Sequence, residues 1–300
     1  MPGESSIAPF AANGNTAFGF KERPNYFKKE LARIHRGVIV EVKDVYQAKI
    51  AEEAGACCVL FSQQIFEGTS QIPDPLLFKE MTLAVSIPII VKIRIGHFVE
   101  AQILDCIGVR HFDESDEASA VDDENFINKH KFKDSYFVCG SRSLGEALRR
   151  IKEGAAIVKT LGNMGSSSGN ISETLRNVRA VMSEIRYLHN MDEDEVFAYS
   201  QKIDAPYDLV KETRELGRLP GIYYAAGGIV TPADAALMMQ LGCDGIFLAL
   251  EIFECPNPRD RLRRMVEAVR NHRNPEALVR ASFDLAPREN RIEQSASVAE

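Results

Sequence analysis

The sequence contains no tryptophan, no CxxC pair and no block of consecutive lysines and arginines. It also lacks an uninterrupted apolar run long enough to cross a bilayer, and its histidines show no metal-ligand spacing. Each absence excludes something. Without a basic block, and with a net charge of -7, there is no electrostatic footprint for nucleic acid or for an anionic membrane. Without a spanning run or a charged start followed by an apolar stretch, neither membrane insertion nor secretion is indicated, and the composition is compatible with the cytoplasm. The six cysteines are scattered, with no disulfide-like rhythm, and are expected to be reduced and mostly buried. No metal and no cofactor is implied.

What is present is an ordinary globular composition, 45% apolar and 26% charged, over 300 residues. That length suits one (β/α)₈ barrel. Short β-branched or aromatic runs recur at 38–42, 57–61, 89–93, 110–112, 136–139, 156–159, 222–225 and 246–249, giving eight strand candidates. Helical spacing fills the intervals at 45–54, 75–85, 99–107, 144–153 and 232–241. Gly55, Gly108, Gly154 and Gly242 each stand where a left-handed residue closes a helix. Ser143 with Glu146 spells a capping box, and Thr231 before Pro232 and Asp234 marks another helix start. The expected fold is an α/β (β/α)₈ TIM barrel with an extra helix in 171–209. Residues 1–20 are expected to form a flexible segment, 21–286 the barrel and 287–300 a loose tail.

Barrel active sites lie at the C-terminal ends of the strands. There, Lys92 interrupts an apolar strand and shares a face with Ile90 and Arg94. Burial and a neighbouring guanidinium would both disfavour its ammonium form and favour Schiff-base chemistry. Its plain alternative is a lysine snorkelling outward between helices. Gly227 and Gly228, just before a helix start, could hold a phosphate on backbone amides, or simply form a tight turn. The glycine- and serine-rich stretch 162–170 reads as a phosphate loop or as a surface connection. The acidic cluster Asp113, Glu114, Asp116 and Glu117 reads as a solvated face or a cap.

Three stretches are more specific: Lys-Ile-Arg-Ile-Gly-His-Phe-Val-Glu-Ala-Gln-Ile-Leu from Lys92, Gly-Glu-Ala-Leu-Arg-Arg-Ile from Gly145, and Thr-Pro-Ala-Asp-Ala-Ala-Leu-Met-Met-Gln-Leu-Gly from Thr231. On these the chain resembles the synthase subunit of the lysine-dependent pyridoxal 5'-phosphate synthase, over about residues 37–275. The resemblance implies condensation of ribose 5-phosphate, glyceraldehyde 3-phosphate and ammonia, the last from a separate glutaminase subunit. It implies hexameric rings stacked into dodecamers, and two lysines acting in succession. The first corresponds to Lys92. The second belongs to an Arg-Thr-Lys-Gly motif, against which this chain places Lys159 at the arginine and Leu161 at the lysine. Leu161 cannot form an imine.

Other positions depart as well. The family's Gly-Ser-Gly phosphate site becomes Ala249, Leu250 and Glu251, and an aspartate of the first strand becomes Glu41. The segment 61–75 reads as shorter than the family's lid region, and 15–36 departs from its N-terminal pattern. Gly165, Arg179 and Gly228 match family substrate-contact positions. The resulting expectation is a non-catalytic, plant-like paralogue that joins active subunits in mixed hexamers and dodecamers. The alternatives are an active synthase using Lys159, and a lyase or aldolase using Lys92 alone on another carbonyl compound.

Overall fold

In the computed structural model, residues 32, 34–66, 69–71, 73–116, 120–122, 124–161 and 171–283 are described. Residues 1–20, 162–170 and 287–300, and with them the glycine- and serine-rich stretch and Gly165, lie outside the described residues.

Strand alternation sorts the core into two layers. Val38, Val40 and Val42 of β1 (Gly37–Val42) pack outward among the helices, whereas Ile39 joins an inner cluster with Leu60, Ile90, Val138, Ile157, Tyr224 and Phe247. The strands supplying these residues are β2 (Cys58–Phe61), β5 (Ile89–Arg94), β7 (Tyr136–Ser141), β8 (Ala155–Thr160), β9 (Ile222–Ala226) and β10 (Gly245–Leu248), and β6 (His111–Asp116) lies between β5 and β7. All pair in parallel, β10 closes back onto β1, and the result is an eight-stranded barrel. The hairpin β3 (Gln63–Phe66) and β4 (Thr69–Gln71) stands apart as a two-stranded sheet.

The helices are α1 (Val45–Ala54), α2 (Pro75–Ala84), α3 (Phe98–Cys106), α4 (Leu144–Lys152), α5 (Ile171–His189), α6 (Glu193–Lys202), α7 (Tyr207–Leu216), α8 (Pro232–Leu241), α9 (Pro258–Arg270) and α10 (Pro275–Ser282). Their ends follow the expected chemistry. Gly55 and Gly242 close α1 and α8 at φ 93° and 113°. Thr231 and Asp234 form a complete capping box. At α4, Ser143 accepts from Glu146 N at 3.3 Å, but the Glu146 carboxylate reaches back to Arg142 N at 2.8 Å instead of closing on Ser143.

Two expectations need correction, and two further details go beyond the sequence. Strand β6 runs on to Asp116, because Asp113 and Glu114 are buried and not solvated. The hairpin falls in a segment without a clear strand signal in the sequence. As expected, 171–209 holds a helix beyond the crossover helix α5, namely α6, and the insertion continues into α7. Cys58, Cys139 and Cys243 are buried, but Cys106 is exposed and Cys57 and Cys255 are half-buried.

Gly145 is where the inserted helices meet the barrel wall. A Cβ there would lie 2.0 Å from the Ile203 carbonyl oxygen, a backbone atom that cannot swing away. Gly145→Ala should therefore lose about 3 kcal/mol to overpacking, well beyond the ~1 kcal/mol that alanine returns in helix propensity. Urea unfolding of the variant measures the difference; an unchanged or raised midpoint would mean that α6 yields.

Candidate functional site at the barrel mouth

The inner face continues by twos from the apolar cluster to the mouth. Beyond Ile39 comes Glu41, beyond Ile90 comes Lys92, beyond Ile157 comes Lys159, and beyond Val138 comes Gly140. Lys92 therefore points into the barrel, not outward between helices. Its Nζ lies 3.9 Å from Glu41 Oε1, with each side chain 18% exposed. The same Glu41 oxygen accepts the Ser62 hydroxyl at 2.6 Å, which draws the carboxylate towards β2.

Arg94, expected to bias Lys92, is itself paired with a carboxylate. Glu100, near the start of α3, takes its Nε at 2.7 Å and a terminal nitrogen at 2.6 Å, while the other Glu100 oxygen accepts Arg94 N at 3.0 Å. The guanidinium keeps its charge, and the Glu100 carboxylate beside it offsets part of its field.

Across the barrel, Lys159 donates to Asp113 Oδ2 at 2.7 Å, and its Nζ sits 4.6 Å from the centre of the Phe247 ring. Asp113 is completely buried and is the register partner of Lys92 on β6. This aspartate was grouped with surface acids in the sequence reading. Its inward position could have been found from the alternation of β6, since His111 and Asp113 share a face.

Leu161 closes the same region. Asn177 holds its carbonyl from α5 at 3.0 Å, and its side chain folds over Gly140, so that a Cβ on Gly140 would meet Leu161 Cγ at 2.4 Å. Gly140 is the register partner of Lys159. Hydrocarbon thus covers Gly140, and Lys159, two residues before Leu161, is held by a carboxylate.

The turn after β9 has the conformation its glycines permit, with Gly227 at φ 102° and Gly228 at φ 67°. Thr160 and Thr174 anchor it. Thr160 exchanges hydrogen bonds with Ala226 O at 2.7 Å and Ala226 N at 2.8 Å, and the Thr174 hydroxyl lies 2.9 and 2.8 Å from the carbonyls of Ala226 and Gly227. The segment directly after β10, residues 249–254, carries no glycine. Ala249 precedes a short 3₁₀ turn, Leu250–Glu254, without a side-chain cap, and Glu251 is half-buried in its first turn. A phosphate facing Glu251 would meet a like charge at a cost of about 4 kcal/mol at an effective dielectric of 20. Arg179 is exposed on α5, beside Val178 of that helix's buried stripe.

Glu114, the neighbour of Asp113, faces the other way. Its Oε1 accepts Gly96 N at 3.1 Å and Ile127 N at 2.9 Å, and its Oε2 lies 2.8 Å from the fully buried Lys129 ammonium. The chain that follows walls a separate pocket of about 670 Å³ on the barrel flank, between α3 and residues 122–132. None of the site residues expected from the sequence lines it. Among the described residues, no group of three or more His, Cys, Asp or Glu is placed to hold a metal ion, and no helix is long and apolar enough to cross a membrane.

Comparison with known proteins adds the following. A family model described as the SOR/SNZ family matches residues 25–226. The pyridoxal 5'-phosphate synthase-like subunit PDX1.2 of Arabidopsis thaliana is 52% identical over 268 residues, covering 88% of this chain and 85% of that protein. The pyridoxal 5'-phosphate synthase subunit PDX1.3 of the same plant is 51% identical over 272 residues, covering 88% and 87%. The pyridoxal 5'-phosphate synthase subunit PDX1 of Phaseolus vulgaris is 50% identical over 293 residues, covering 95% and 93%. These identities are too close together to separate a synthase from a synthase-like subunit, so the residues at the mouth must do so.

Proposed function

Because the chain belongs to the SOR/SNZ family of pyridoxal 5'-phosphate synthase subunits, we propose that it is a non-catalytic member that joins active synthase subunits in mixed hexamers and dodecamers and modulates pyridoxal phosphate formation. One observation carries the reading: Leu161 fills the space over Gly140 where the family's second lysine is expected, and Lys159, the candidate to replace it, is bound to Asp113 at 2.7 Å. A two-lysine relay needs both amines free in turn, and a hydrocarbon cannot accept the intermediate. Glu251, with the loss of the serine hydroxyl and of glycine's open approach to the backbone amides, weakens sugar-phosphate binding as well. Lys92 remains at the mouth, so the pocket is eroded and not erased.

The assembly half of the reading draws on exposed apolar side chains. Tyr46, Leu76, Leu83, Phe98 and Ile103 stand out from α1 to α3, and Tyr187 and Phe197 from the inserted helices. Large exposed apolar residues concentrated on particular elements favour contact with other subunits. A glutaminase subunit is a further candidate partner, and the cytoplasm is the expected setting.

The test has two arms. The purified chain, given ribose 5-phosphate, glyceraldehyde 3-phosphate and an ammonium salt, should form the pyridoxal phosphate chromophore on the order of a thousandfold more slowly than an active relative, or not at all. Co-expressed with an active subunit under a different tag, it should elute in one mixed oligomer. Product at a rate near that of the active relative would sink the non-catalytic reading, and Lys92→Ala would then show whether that amine is responsible. Separate oligomers would sink co-assembly.

A further inference from the structure

We propose that the buried Asp113–Lys159 pair is a structural brace by which this chain fills its own reaction chamber, so that the barrel mouth contributes to the stability of the fold. Asp113 is 0% exposed, and Oδ2 takes Lys159 at 2.7 Å, while Oδ1 accepts no hydrogen bond among the described residues. The carboxylate therefore depends on one cation. Lys159 is 9% exposed, and its ammonium has the face of Phe247 4.6 Å away. The side chain of Leu161 covers Gly140, the register partner of Lys159, so hydrocarbon flanks the pair on this side as well.

Replacing a lysine by leucine at position 161 thus has a second consequence besides the loss of an amine. A lysine there would bring another ammonium to a region where one cation already matches one carboxylate. Leucine keeps the charges balanced and limits water access. Breaking a buried pair by removing one partner leaves an uncompensated charge and is strongly destabilising, whereas replacing both partners by apolar groups is often neutral. A brace of this kind has a distinctive four-way signature, and it does not depend on whether the chain turns over substrate.

Thermal unfolding of the full chain at one fixed protein concentration reads that signature. Lys159→Met should lower Tm by about 6–12 °C. Lys159→Arg should stay within about 2 °C, because a guanidinium still meets Asp113. The double variant Asp113→Val/Lys159→Met should return to within about 3 °C of the parent. Failure of Lys159→Met to fold while the double variant folds would give the same support. A Tm unchanged in Lys159→Met, or a double variant as low as the single or unable to fold, would overturn the proposal. The readout is unfolding and not product, so a chain that proved active would refute the proposed function and leave this inference to its own result.

Discussion

Lys129→Met should lower the unfolding free energy by about 3–5 kcal/mol, because it strands one carboxylate in the protein interior and leaves another short of a partner. Lys129 and Glu114 are both 0% exposed at their side chains and 2.8 Å apart, and Glu153 lies 3.4 Å from the same ammonium. Burial alone would disfavour the charged lysine, but the surrounding negative groups, Glu114 and Glu153 among them, outweigh it and hold its pKa above the ordinary value. Without the ammonium, Glu114 would keep the N–H groups of Gly96 and Ile127 on Oε1 and have no cation. The damage should reach the end of β5, since Gly96 stands two residues past the strand that carries Lys92. Arg150, stacked 3.3 Å from the Phe126 ring and bonded to Glu153 at 2.9 and 2.7 Å, holds the far side of the same segment and limits how far it can relax. Urea unfolding of parent and variant checks the figure. A loss below about 1 kcal/mol would mean that water or Arg150 takes over the role of Lys129.

The contrast between Glu114 and Asp113 shows where sequence reasoning stopped. Periodicity located all eight barrel strands, and helix chemistry placed α1 and α8 at their observed limits. Both are local signals, carried by residues a few positions apart. The acidic cluster is also local, but its meaning is not. Asp113 pairs with a lysine 46 positions away, and Glu114 with a lysine on a connection that has no regular period. Without those partners, consecutive acids at a strand end look solvated.

The site divides along the same line. Lys92 was legible because a lysine inside an apolar strand is conspicuous, and alternation then decides its direction. Glu41, Leu161 and the Ala249–Glu251 replacement were legible only through resemblance to a family, since no physical rule marks a leucine as a missing lysine. That Arg94 pairs with Glu100 follows from the geometry of the turn into α3, where His97 accepts Glu100 N at 3.3 Å and fixes the helix start. The commitment of Lys159 to Asp113 required the strand order, which sets only β7 between β6 and β8 on the inner face.

The barrel should also lose stability in mild acid, and His111 should account for a separable part of that loss. At the N-terminal end of β6 the imidazole is 5% exposed and stacked on Tyr136 with ring centres 3.9 Å apart. Burial pulls its pKa down to about 3 from an ordinary 6.5, so the folded protein holds it neutral. Unfolding releases it to solvent, where it gains a proton below about pH 6.5. The unfolded state then binds more protons than the native state between those two values, and stability falls as pH falls through that window. The slope approaches about 1.4 kcal/mol per pH unit, which amounts to roughly 2–3 kcal/mol by pH 4.5. His111→Phe keeps an aromatic ring against Tyr136 and removes the titration. Denaturant unfolding of both proteins at pH 7.5 and pH 4.5 isolates the effect, since the other acid-sensitive groups are common to the two. The stability of the parent relative to His111→Phe should drop by about 2 kcal/mol on acidification; a relative stability that holds constant with pH would mean that the imidazole is protonated in the folded barrel.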